Sequence, residues 1–481
     1  MSGDATASLQ QILAGLASVE TQDADLVLMQ LDPEPARLLD LCAIPHLFRL
    51  ELVRVLDPQA SPELIDAFMD EVQSLPSVRQ LGDCFALHDT VRGQLFERWL
   101  QPARRTDFTT ASCRLAEHYE AASRSDGQGQ AEAIEPVIMF HRIGVDLEAG
   151  FGFFQNLYSG YRESARYSAC EGLVRLVAVY RPVLSDRQLS WLTFYEAETA
   201  RDGHDFARAL SLLTTLTRQK LEPALGIRAH VNLSAALRSL RRLEAASKQA
   251  RRALQLASTN PEGRALLHLV HQEIGLVARD EGDVEKASLH LRRTIELGTA
   301  VGDRLAVASA YNGLGTVLQK FDPRQAITVL EAGAARLEGD VVRRAHVLNN
   351  LGLAYANVGD WAKSQQSFER SLEIKRAAAD IYGQALSLLN VARVYQARQQ
   401  PFAARNALTE SATLFETVRD SGSAATARRE LARVLRTAGE TEQAREEATA
   451  AVRLFQQTGR SVEAQGLQRE FALKQIGSGG Q

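Results

Sequence analysis

The segment Leu348–Ile374, LNNLGLAYANVGDWAKSQQSFERSLEI, reads as one helical hairpin. Leu348, Leu351 and Tyr355 recur at the 3.6-residue period of a first helix, Gly359-Asp360 breaks it, and Phe368, Ser371 and Leu372 line a second helix. Gly352 and Ser364 fall where the two helices cross, and small side chains there let the backbones approach. The same small–small pair recurs at Ala197/Ala209, Ser234/Ala246, Gly275/Ala287, Gly315/Ala326, Ala392/Ala404 and Ala432/Ala444. Successive pairs are 37 to 41 residues apart. A supersecondary unit that repeats at this period predicts an all-α solenoid, in which each hairpin buries its apolar face against the next.

A chain of 481 residues is too long for one compact core unless the core grows in one dimension. Aromatic residues make up only 6%, and the net charge of −4 gives no global attraction to nucleic acid or anionic membrane. No apolar run approaches the ~20 residues of a membrane span, and MSGDATASLQQ lacks the basic and apolar regions of a secretory signal. Cys42, Cys84, Cys113 and Cys170 occur singly, which reads as reduced, packed thiols. A cytoplasmic protein is expected.

Five regions follow along the chain. Residues 1–31 hold one amphipathic helix at Ala7–Val19 and an acidic stretch. Residues 32–103 read as short helices at Arg37–Ile44, Arg49–Leu56 and Pro62–Leu75, a β-hairpin turning at Gly82-Asp83, and a helix at Asp89–Leu100, a winged-helix plan. Residues 104–183 form irregular helical pairs, with a loop expected over Ser123–Gln130. The regular array of about seven hairpins spans 184–475, and 476–481 is a polar, Gly-rich tail expected to be disordered.

The repeat resembles the tetratricopeptide (TPR) family: Leu348, Leu351, Gly352, Tyr355, Gly359, Ser364 and Phe368 stand on its signature positions, with Ser364 where Ala is usual. The period near 40 departs from the common 34-residue unit and is similar to the long-helix subgroup of kinesin light chains and bacterial sensors. The first hundred residues, with LLDLCAIPHLFRLELVRVL and LPSVRQLGDCFALHDTVRGQLFERWL, resemble the winged-helix segment of STAND-type (NB-ARC-like) signalling ATPases, where a TPR sensor follows. Leu87-His88-Asp89 stands where that family carries a His-Asp motif that touches a nucleotide phosphate. No GxxxxGK[ST] loop occurs, so the phosphate-cradling amides and lysine of the family's ATPase domain are missing and no cofactor is expected. The resemblance implies a sensor whose ATPase or effector activity is supplied by a partner in trans.

His88, Asp89 and Arg92 form a candidate switch contact, against which stands a plain helix-capping role for Asp89. The helix beginning SPELIDAFMDEVQSL carries Glu63, Asp66, Asp70 and Glu71 without Lys or Arg, so it repels duplex DNA. A transcriptional regulator with a DNA-binding winged helix is therefore the alternative reading rather than the leading one.

The resemblance to TPR arrays implies that the first helix of each hairpin forms the inner wall. Two residues before each small residue stand Asn232, Glu273, Gly313, Asn350, Asn390 and Glu430, with Asn312 and Asn349 one residue earlier. An amide donates and accepts at once, as an extended peptide backbone does, so these residues either hold a peptide ligand or pair between hairpins. Arg393, Arg429, Arg433 and Arg436 cluster on the last first helices and are suited to an acidic peptide, or are a solvated face; Arg238 and Arg279 continue the basic track.

No catalytic or metal constellation appears. His268 and His271 lack a third ligand, and Cys113 with His118 or His141 has no spacing that implies a thiol–imidazole pair. The expectation is a non-catalytic sensor or adaptor in signalling or defence that binds a protein or peptide, with an array end open to self-association.

Overall fold

The computed structural model describes residues 23–125, 128–164 and 166–473. The helix expected at Ala7–Val19 and the tail at 476–481 lie outside these residues. The fold is all-α: 24 α-helices are described, and the only sheet among the described residues is one two-stranded hairpin. The chain divides into two compact units, 1–205 and 206–481, so the expected start of the array at Leu184 lies within the first unit.

The first unit opens with α1 (Ala24–Leu28), α2 (Pro33–Leu41), α3 (Leu50–Leu56) and α4 (Pro62–Val72). Ser61 caps α4 by accepting from the Leu64 amide, with Pro62 at the first helical position. Strands β1 (Val78–Leu81) and β2 (Cys84–Leu87) pair antiparallel from Val78↔Leu87 to Leu81↔Cys84, and Gly82 supplies the left-handed turn residue at φ +67°. Phe48 bridges to Phe85 across the hairpin and buries its ring beside Phe68. The hairpin leads into α5 (Asp89–Trp99).

Next come α6 (Arg105–Ser125), α7 (Gln128–Val145), α8 (Leu147–Glu163), α9 (Tyr167–Ala178) and α10 (Asp186–Asp202). The loop expected over Ser123–Gln130 is shorter than its composition suggests, because α6 and α7 run into it from both sides. Ser and Gln cost an exposed helix only tenths of a kcal/mol relative to Ala, so pairing of α6 with α7 overrides the polar signal.

The second unit begins with α11 (Phe206–Leu216) and continues as six hairpins. These are α12 (Pro223–Ser239) with α13 (Leu243–Thr259), α14 (Leu267–Glu281) with α15 (Val284–Val301), and α16 (Arg304–Leu318) with α17 (Pro323–Arg336). They continue as α18 (Val341–Asn357) with α19 (Trp361–Ala377), α20 (Ile381–Ala397) with α21 (Pro401–Thr417), and α22 (Ser421–Thr437) with α23 (Thr441–Gln457). A single helix, α24 (Ser461–Glu470), follows. Six of the seven small–small pairs fall in this unit, while Ala197 and Ala209 lie one in each unit.

The pairs mark the crossings. Ser364 Oγ donates to the Gly352 carbonyl at 2.7 Å, and Ser234 Oγ does the same to the Ala246 carbonyl at 2.9 Å, each across twelve residues. A Cβ on Gly352 would stand 2.8 Å from the Phe368 ring, and one on Gly315 would stand 2.5 Å from Leu330. Turns are set by Asp side chains: Asp283, Asp303, Asp322, Asp340, Asp360, Asp380 and Asp420 each accept a free amide of the helix they precede.

Candidate partner-binding surface

Within the second unit the first helices of neighbouring hairpins pack on one another, α12 on α14, α14 on α16, α16 on α18 and α18 on α20, more closely than the second helices do. The first helices therefore form the shorter, inner wall of the stack. The wall is threaded by polar contacts between hairpins.

Most of the residues in the asparagine ladder are tied into those contacts. Asn350 Nδ2 donates to Asn312 Oδ1 at 3.0 Å, and Gln319 Nε2 donates to the Asn350 carbonyl at 2.9 Å. Asn390 Nδ2 and Ser387 Oγ both donate to Asn349 Oδ1 at 3.3 Å. Asn232 Nδ2 bonds the Arg228 carbonyl of its own helix at 3.1 Å. Glu273 is buried and receives Arg238 Nε at 3.1 Å, with Arg238 also reaching Asp280 at 3.4 Å. Exposure separates the amides: Asn349 and Asn390 are buried, whereas Asn312 and Asn350 are half-buried. At three places, Arg238–Glu273, Asn312–Asn350 and Asn349–Asn390, this part of the first helix ties one hairpin to its predecessor, and the Asn312–Asn350 pair is the half-exposed one of the two amide pairs.

A buried network behind this wall escapes sequence reading. Lys375, at the end of α19, is only 2% exposed and donates Nζ to Ser387 Oγ at 3.0 Å and to the Gly383 carbonyl at 3.3 Å. Burial pushes its amine down to about 8, against the opposing pull of Asp380. Lys375, Ser387, Asn349 and Asn390 form one connected chain. The signal was there only in register: Lys375 follows Ser364 by eleven residues and faces the turn into the next repeat.

The arginine cluster is partly neutralised. Arg429 pairs with Glu430 at 2.9 Å, Arg433 with Glu470 at 2.8 Å and with Glu430 at 3.3 Å, and Arg436 with Glu470 at 2.8 Å. Arg393 is exposed and makes no ion pair among the described residues. Glu470 was missed in the sequence, although it stands forty residues after Glu430.

In the first unit, His88 is the residue before α5, Asp89 is exposed in its first turn, and Arg92 is buried. Arg92 donates Nε to the Pro45 carbonyl at 3.1 Å and Nη2 to the Ile44 carbonyl at 3.3 Å, locking α5 onto the segment before Phe48. Burial lowers its guanidinium to about 10. His141 is fully buried with neither ring nitrogen bonded, and burial, then Arg92, push it down to about 3. Cys113 donates to Glu117 Oε1 at 3.4 Å, and burial pushes its thiol up, away from the thiolate a nucleophile needs. A cleft of about 500 Å³ between α6, α7 and α8 is lined by Glu120, Arg142, Asp146 and Phe153 among others, and by none of the candidate partner-binding or switch residues. No cluster of three His, Cys, Asp or Glu suited to a metal occurs among the described residues. No described helix is long and apolar enough to cross a membrane.

The profile of the tetratricopeptide repeat family matches residues 343–416, the hairpins α18/α19 and α20/α21. The chain carries tetratricopeptide repeats. A search of curated proteins by sequence finds no match. In fold, the chain is similar to a Signal Transduction ATPase with Numerous Domains (STAND) protein with a tetratricopeptide repeat sensor from Pyrococcus horikoshii: 14% identity, TM-score 0.54, over 95% of this chain and 68% of that one. A Rap protein crystallised with Competence and Sporulation Factor matches at 11% identity and TM-score 0.47, over 67% of this chain and 96% of that one. The apo quorum sensor NprR from B. thuringiensis matches at 12% identity and TM-score 0.45, over 68% of this chain and 99% of that one. At these identities the likeness of the TPR protein to its neighbours is one of fold.

Proposed function

We propose that this TPR protein is a non-catalytic sensor or adaptor that binds a protein or peptide on the inner wall of its second unit. The observation that carries the reading is the half-exposed Asn312–Asn350 pair: Asn350 Nδ2 donates to Asn312 Oδ1, and each amide has donor and acceptor capacity beyond that one bond. That capacity matches the alternating C=O and N–H of an extended chain. The helix, hairpin and helix order of residues 33–99 supports a winged-helix module that couples binding to another chain in cytoplasmic signalling or defence, with an ATPase or effector in trans. The TPR sensor of the STAND neighbour supports the same plan by analogy. DNA binding by that module is disfavoured because α4 exposes Glu63, Asp66, Asp70 and Glu71 and has no basic residue.

Phage display of random dodecapeptides on the full chain, then calorimetric titration of selected peptides, tests this. Asn312→Ala with Asn350→Ala should weaken binding by about 1–3 kcal/mol while the melting temperature stays nearly constant. Equal binding to parent and variant would remove the amide pair from the binding surface.

A further inference from the structure

α24 ends on Glu470, which stands forty residues after Glu430 and so takes the ladder position of the next first helix. Its carboxylate lies between two guanidinium groups of α22. Arg433 donates Nη2 to Oε2 at 2.8 Å and Nε to Oε1 at 3.1 Å. Arg436 donates Nη2 to Oε1 at 2.8 Å and Nη1 to the main-chain carbonyl of Glu470 at 3.2 Å, with its cation 4.4 Å from the centre of the Phe471 ring. The arginines hold the Glu470 carboxyl below the usual carboxylate range, so it is charged at neutral pH.

The contact is built like the Arg238–Glu273 pair five hairpins earlier but differs in burial. The Glu273 side chain is 5% exposed and that pair is part of the core, whereas the Glu470 side chain is 25% exposed and those of Arg433 and Arg436 are 41% and 44%. Exposed pairs are weak and exchange partners readily. The helix that carries Glu470 is also lightly held: it spans ten residues, buries Ala464 and Leu467, and is followed by the buried Phe471. A helix this short, with two buried side chains, opens at lower cost than the seventeen-residue helices α22 and α23 before it. Arg393 repeats the position of Arg433 one hairpin earlier and carries no ion pair among the described residues. Arg433 and Arg436 thus share Glu470, Arg429 and Arg433 share Glu430, and Arg393 stands one hairpin earlier with no carboxylate partner among the described residues.

We propose that this arginine row is a seat for an acidic peptide and that Glu470 is its built-in competitor, occupying the place of a ligand carboxylate until one displaces it. The proposal rests on the inner wall being a ligand surface, and adds the charge of the ligand and an autoinhibitory contact. A peptide is favoured over nucleic acid because the guanidinium pair already clasps a carboxylate, and because Glu430 and the net charge of −4 oppose a polyphosphate chain.

The test uses the full chain and fluorescein-labelled hexaglutamate, read by fluorescence anisotropy at low and physiological salt. Glu470→Gln keeps the side-chain shape and should tighten binding at least tenfold over the parent. Glu442→Gln, the same charge change at an exposed site on α23, should leave binding within twofold. Arg433→Ala added to Glu470→Gln should abolish the gain. Detachment of α24 would bare the same arginines, so the expected direction holds whether or not the helix stays docked. The proposal is overturned if Glu470→Gln binds no tighter than Glu442→Gln, if the gain survives Arg433→Ala, or if hexathymidylate binds Glu470→Gln as tightly as hexaglutamate. The Asn312→Ala/Asn350→Ala variant runs in parallel. Loss of selected-peptide binding there, with no hexaglutamate gain, sinks the arginine seat alone; the converse pattern sinks the amide wall alone.

Discussion

Replacing Lys375 by Met should stabilise the protein at neutral pH and erase one segment of its pH dependence. The ammonium is buried at the end of α19 and has two neutral acceptors but no carboxylate within ion-pair distance among the described residues. Burial lowers its pKa from 10.5 to about 8. At 1.36 kcal/mol per unit this corresponds to a penalty on the order of 3 kcal/mol for holding the proton in the folded state. The unfolded chain binds the proton more tightly, so the penalty is complete below pH 8 and is relieved as pH rises toward 10.5. Stability should therefore climb over that window. Met keeps the unbranched stem and removes the charge, but leaves the Gly383 carbonyl without its donor, which costs about 1 kcal/mol. The net expectation is a gain of about 2 kcal/mol at pH 7 that shrinks and reverses toward pH 10. Urea unfolding of both proteins followed by circular dichroism from pH 7 to 10 isolates the effect, because groups that Lys375 does not touch contribute equally to both proteins. His346, whose pKa burial and then Lys375 depress, should titrate higher in the variant. A stability difference that stays constant across the range, or a variant less stable at pH 7, would refute the reasoning.

The other predictions concern the hairpins themselves. Gly352→Leu should destabilise the protein by at least about 2 kcal/mol, because even a Cβ there stands 2.8 Å from the Phe368 ring; chemical denaturation measures it. Ala379 turns between α19 and α20 at φ +53°, where an L side chain is strained, so Ala379→Gly should add about 1 kcal/mol and raise the melting temperature. His271 and His290 share one bond between their Nδ1 atoms at 2.8 Å, and burial lowers both pKa values, His271 to about 4. The unfolded chain then binds more protons between about pH 6.5 and 4, so stability should fall on acidification through that window. His290→Gln reproduces the His230–Gln249 bond of the preceding hairpin and should flatten that fall in an acid-denaturation series.

What could be read from sequence and what could not divides along the direction of the contact. Gly352 and Ser364 are twelve residues apart within one hairpin, so a period and a preference for small residues were enough to place the crossing that Ser364 Oγ then seals. The aspartates that cap seven of the helices, Asp283 to Asp420, are likewise local. The polar ties run between hairpins, across some forty residues, and depend on which neighbour each side chain meets: Asn390 on Asn349, Asn350 on Asn312, Arg436 on Glu470. Register alone brings Glu470 to the arginines, and with it the row Arg393–Arg436 changes from an open basic face to one holding its own carboxylate. Arg92 shows the same limit in the first unit. Beside His88 and Asp89 it reads as part of a polar switch, yet its guanidinium is spent on the Ile44 and Pro45 carbonyls, leaving His88 and Asp89 as the members of that motif nearer to solvent. A buried cation with bonded carbonyls anchors an element, so Arg92→Lys, which loses the fork, should loosen α5 against its neighbours while Asp89→Asn should not, a difference that hydrogen exchange of the α5 amides resolves.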